Sequence, residues 1–149
     1  MGAGGGVTMI RPFAVLMALI GSASIAAARD LTDAEAKQIA VDMEQSVSAT
    51  RASLNGLIKA GDKRSYNRTM GPLLAKMSNW PEMHLGHRAI FPYFYCRDAG
   101  SAVMMYGDAW YRGDPSETWR SYAVDKFRRW HAECKRSLVE PDMSLKNIK

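Results

Sequence analysis

The residues of this chain best suited to holding a metal are Met83-His84-Leu85-Gly86-His87, with Met77 a short way upstream. Neutral imidazole and thioether sulfur together suit copper or another first-row transition metal, and histidines spaced i, i+3 can turn towards one ion. A stable site needs a third ligand, and the sequence has three histidines in all, the last being His131. The same residues are also ordinary content for a surface loop. A small metal-binding protein using His84 and His87 is therefore the alternative reading of this chain. Three of the ten methionines, Met1, Met9 and Met17, precede Arg29. The remainder are scattered rather than set in repeated pairs, which is the pattern of adaptable core filler.

Cys96 and Cys134 are the two cysteines. His131 stands three residues before Cys134, the spacing at which an imidazole on a helix can activate a thiol. That chemistry needs a thiolate, and an isolated pair of cysteines in an oxidising compartment reads first as a disulfide. Haem held by His131 and a methionine such as Met43 is a further arrangement of the same residues, and the C-x-x-C-H run for covalent attachment is missing. Asp98, Asp108 and Asp125 lie near Arg97, Arg112, and Lys126 or Arg129, an arrangement that surface ion pairs explain. The sequence contains no Gly-rich phosphate loop, nucleophile elbow or H-E-x-x-H motif, and no catalytic residue is assigned.

Aromatic density is the remaining chemical feature. Phe91-Pro92-Tyr93-Phe94-Tyr95 places four rings in five residues, flanked by Arg88 and Arg97. A single helix face cannot bury rings pointing in every direction. Exposed aromatic residues beside arginine are the usual material of protein-binding hot spots. Phe91, Tyr93, Phe94, Arg88 and Arg97 are accordingly the expected contact residues for a partner protein.

The first 28 residues carry an address rather than a fold. Arg11 precedes the apolar run Phe13–Ile20, and small residues follow as far as Ala26-Ala27-Ala28. That order matches a cleavable secretory signal, and the run is shorter than the roughly 20 apolar residues of a spanning helix. Cleavage after Ala28 leaves 121 of 149 residues, and losing Arg11 lowers the formal charge from +5 to +4. This length suits one domain. The mild positive charge favours weak attraction to anionic surfaces. With basic and acidic residues interleaved, it gives no argument for nucleic acid.

The elements that must position these groups read as helices throughout. Thr32 and Glu35 form a capping box, and Ile39, Met43, Val47, Leu54, Leu57 and Ile58 recur at steps of three and four until Gly61. The spacing predicts a helix from about Asp33 to Ala60. Tyr66, Met70, Leu73, Leu74 and Met77 keep a helical period across Gly71-Pro72, so this second segment is either kinked or restarts at the proline. An irregular connection is expected from Ser78 to Phe91. Pro92 then opens a third helix that buries Tyr95, Ala99, Ala102, Val103, Tyr106 and Trp110 and ends at Gly113.

Asp114-Pro115-Ser116-Glu117 reads as the start of a fourth helix, with Asp114 as its cap. Trp119, Ala123, Phe127, Trp130, Cys134 and Leu138 form its packing stripe. The short connection makes the last two helices antiparallel, which brings Cys96 level with Cys134 at the open end of the hairpin. The expected fold is all-α, a small bundle of three to four helices built on that stapled hairpin. It occupies residues 29–140, with residues 141–149 as a short polar tail. The expected function is that of an exported envelope or periplasmic protein, periplasmic or secreted, which binds another envelope or secreted protein without catalysis. Inhibitor or immunity-type proteins have this size and address.

Overall fold

The computed structural model describes residues 29–82, 87–113 and 116–147. Its first helix, α1 (Asp33–Ala60), begins at the capping box. The Thr32 N–H donates to Glu35 Oε2 at 2.9 Å, and the Glu35 N–H donates to Thr32 Oγ1 at 3.2 Å. Gly61, at φ 66°, ends it in the left-handed conformation that only glycine adopts cheaply. Ala36, Ala40, Met43, Val47, Thr50 and Leu54 form its buried face. Asp62 then caps a short 3-10 turn, Lys63–Ser65.

The second helix, α2 (Tyr66–Ser78), runs unbroken through Pro72. No restart is needed because Gly71 and Pro72 lie on the exposed side, where water can replace the hydrogen bond that proline cannot donate. After Trp80, which is buried, the chain re-forms as a 3-10 turn at Arg88–Tyr93. Pro92 therefore sits inside that turn, and α3 (Phe94–Arg112) begins two residues later. Gly113, at φ 73°, closes α3.

The cap of α4 (Glu117–Val139) is Ser116, whose Oγ accepts the Trp119 N–H at 3.2 Å. Asp114, the expected cap, lies outside the described residues. Serine and aspartate are equally good caps, and local sequence alone did not choose between them.

The helices form an all-α bundle. α3 and α4 pair along their lengths, α1 packs on both of them and on α2, and α2 lies against α1 and α3. Leu54, Leu73, Ile90, Val47 and Val103 are fully buried at the centre, each contributing about 1.5–3 kcal/mol of apolar burial. The Cys96–Cys134 disulfide joins α3 to α4 across a Cα–Cα distance of 4.6 Å and a sequence separation of 38 residues. It sits at the open end of the hairpin, as the helical register requires. The segment after Pro141 is not a loose tail. Met143–Asn147 forms a 3-10 turn packed on the Arg88–Tyr93 turn, and Lys146 Nζ reaches Asp33 Oδ1 at 2.6 Å. Among the described residues no helix is long and apolar enough to cross a membrane. Residues 1–28, the expected signal segment, lie outside the described residues.

Candidate functional site

The aromatic cluster at the start of α3 is split by the fold. Tyr93 is 3% exposed and belongs to the core beside Ile90 and Ala89, so it is not a surface contact residue. Burial also pushes its phenol above the ordinary value, assisted by the negative charge of Asp33. Phe91 and Phe94 are half-buried, with Phe94 packed on Tyr95 at a ring separation of 4.0 Å, and Arg88 and Arg97 are exposed. Of the five expected contact residues, four therefore retain surface and Tyr93 keeps almost none.

His84 lies outside the described residues. His87 is half-buried, and its Nδ1 is enclosed without a hydrogen-bond partner among the described residues. No three His, Cys, Asp or Glu side chains among the described residues converge as a metal site would require. Cys134 is in the disulfide, which leaves no thiolate for His131 to activate.

His131 instead joins a cluster between α1 and α4. Its Nε2 lies 2.8 Å from Glu44 Oε1 and 3.1 Å from Ser48 Oγ, and the Ser48 hydroxyl donates to Glu44 Oε1 at 2.9 Å. The trio has the residue types of a hydrolytic triad with the wrong geometry. Carboxylate and hydroxyl share one ring nitrogen, whereas a triad places them on opposite nitrogens. Burial works to raise the Glu44 pKa. The bonds from His131 and Ser48, with the charges of His131 and Lys135, outweigh it and leave the carboxyl below its ordinary value. One turn along, the Arg51 guanidinium lies 3.9 Å above the Tyr106 ring and 5.3 Å from that of Phe127. Burial lowers its pKa, and Nη1 has no hydrogen-bond acceptor. These groups fasten α4 to α1.

An open concavity lies elsewhere, between α2 and α3, with a volume of about 660 Å³. Methionines supply four of its ten lining residues: Met70 and Met77 from α2, two turns apart on one face, and the neighbours Met104 and Met105 from α3. Leu74, 49% exposed, forms the rim. Two glycines let α3 come close on this side. A Cβ on Gly100 would stand 3.0 Å from Met77 Sδ, and one on Gly107 would stand 3.1 Å from both Leu54 Cδ2 and Tyr66 Cε2.

The polar end of the groove is set by Tyr66, whose hydroxyl donates to Asp108 Oδ1 at 3.2 Å, while Arg112 holds Oδ2 at 2.7 Å. Burial, then the Asp108 charge, push the Tyr66 phenol to about 12. It stays protonated and acts as a fixed donor. Sequence reading treated these methionines as filler. The signals that pointed to the groove were the seven-residue step from Met70 to Met77 and the adjacent pair Met104-Met105. Comparison with known families, curated proteins and solved structures finds no match for this chain.

Proposed function

We propose that this protein is an exported, non-catalytic binding module that receives an apolar segment of another envelope or secreted protein in the α2–α3 groove. The observation that carries this reading is a cavity of about 660 Å³ with four methionines among its ten lining residues and a half-exposed leucine at its rim. Thioether side chains are flexible and polarizable, so a methionine surface can repack around apolar side chains of different shapes. The fixed hydrogen-bonding end at Tyr66 and Asp108 gives an incoming segment a direction. Arg88, Arg97, Phe91 and Phe94, which keep surface at the start of α3, are a separate contact patch in this reading, with Tyr93 in the core.

A photo-crosslinking amino acid placed at Leu74, on the rim, tests the proposal against the same probe at Gln45 on the exposed side of α1. The expected result is a discrete adduct with one envelope or secreted protein from position 74, suppressed by Met104→Asp. Adducts of equal yield from both positions, or none from either, would overturn it. The export element is checked by N-terminal sequencing of the protein recovered from the host, which is expected to begin at Arg29.

Metal binding is a second reading because the buried Nδ1 of His87 has no partner among the described residues. Copper or another first-row metal held by His87 and His84 would satisfy that nitrogen. Elemental analysis of the exported protein beside a His84→Ala/His87→Ala variant decides it. Stoichiometric metal lost in the variant supports the reading, and metal-free wild type ends it.

A further inference from the structure

We infer that the side of α4 carrying Trp119, Tyr122, Lys126 and Arg129 seats the protein on an anionic phospholipid bilayer. The inference is independent of the α2–α3 groove. Trp119 and Tyr122 are 42% and 45% exposed, and their rings stack on each other at 5.6 Å and 17° rather than on another element. Indole and phenol combine an apolar body with a polar edge, and both concentrate at the headgroup level of bilayers. A stacked pair on the outside of a small helical bundle is therefore a wedge of suitable depth for the interfacial layer.

The charge beside these rings is predominantly positive. Lys126 Nζ lies 5.2 Å from the Tyr122 ring and 5.0 Å from that of Trp130, so the ammonium is held at the edge of the aromatic patch. Arg129 follows at the next step of three, exposed. Neither cation makes an ion pair among the described residues, whereas Asp125 is paired with Arg128 at 3.6 Å and Glu133 with Arg136. Across α4, six Lys or Arg stand against three Asp or Glu. The helix thus accounts for most of the positive balance of the chain. A lone aromatic pair would fit many partners. Lys126 also feels the Asp98 carboxyl of α3 without pairing with it, and aromatic rings continuous with cations outside any close ion pair complement a surface that is apolar beneath and anionic above, as a bilayer bearing acidic headgroups is. Each cation brought to such a surface adds about fivefold in affinity.

The test is co-sedimentation of the processed protein with vesicles of phosphatidylcholine alone or of phosphatidylcholine with phosphatidylglycerol. Binding is expected on the anionic vesicles only, and it should weaken as salt is raised. Trp119→Ser/Tyr122→Ser and Lys126→Gln/Arg129→Gln should each lower partitioning about tenfold or more, with unchanged circular dichroism. Arg64→Gln/Lys76→Gln removes the same charge from exposed positions on other elements and should change partitioning by less than about twofold. Equal binding to neutral vesicles, no vesicle binding, or an equal loss in the control pair would overturn the proposal. So would lipid-free self-association that Trp119→Ser/Tyr122→Ser abolishes.

Discussion

His131 on α4 and Glu44 on α1 lie 87 positions apart in the chain, and their side chains meet at 2.8 Å with both groups largely buried. The contact ties the long first helix to the far arm of the hairpin, in a region where Ser48 and Arg51 flank the buried stripe of α1.

This pair has a pH consequence of definite sign. The folded state holds Glu44 below its ordinary value, so it binds that proton less readily than the unfolded chain does. The stabilisation is complete above the unfolded carboxylate range and is lost as pH falls through the lower, folded value. Melts recorded between neutral pH and about pH 3 should show this loss in the wild type. Glu44→Gln should be less stable by about 1–2 kcal/mol near neutrality, with a flatter acid limb. An unchanged acid limb would show that other carboxylates carry it.

The disulfide closes a loop of 38 residues, worth about 4 kcal/mol in the chain-entropy model. Cys96→Ala/Cys134→Ala should melt several degrees or more below the wild type, and reductant should shift the wild type towards the variant. α3 and α4 still share their interface, so circular dichroism should remain helical at low temperature.

Neighbouring rings at the start of α3 should respond differently to truncation. Tyr93 is buried in the same core cluster as Ile90 and Ala89, and Tyr93→Ala should cost about 3 kcal/mol or more. Phe94 is half-buried, and Phe94→Ala should cost markedly less. Denaturant unfolding of the two single variants distinguishes core from surface directly, and equal losses would refute the assigned burial.

Glycine positions give a paired test of close packing. Gly107→Ala would place a methyl 3.1 Å from Leu54 and Tyr66, both buried, and should destabilise by about 1–3 kcal/mol through overpacking. Gly56 lies within α1 with nothing near its missing Cβ. Gly56→Ala should therefore stabilise by about 0.5–1 kcal/mol. Thermal melts of the two variants should move in opposite directions.

Local chemistry was sufficient for much of this architecture. The bounds of α1 follow from Thr32, Glu35 and Gly61, because capping and left-handed closure involve groups within a few residues of one another. The hairpin and its disulfide were legible for a related reason. A connection of a few residues forces antiparallel pairing, and helical rise then brings Cys96 level with Cys134. Which aromatic rings face water was a tertiary decision. Trp119 has the spacing of a packing residue, yet it falls in the first turn of α4, beside the end of α3 at Arg112, and keeps 42% of its surface.

The spacing of Met70, Met77, Met104 and Met105 is legible in the sequence, but that they line one groove, and that Glu44 meets His131, is not. The groove depends on how α3 lies against α2, where Gly100 comes close to Met77, and the Glu44–His131 contact depends on how α4 lies along α1. Periodicity specifies which side of a helix is apolar. Only the packed bundle determines how much of that side another helix covers.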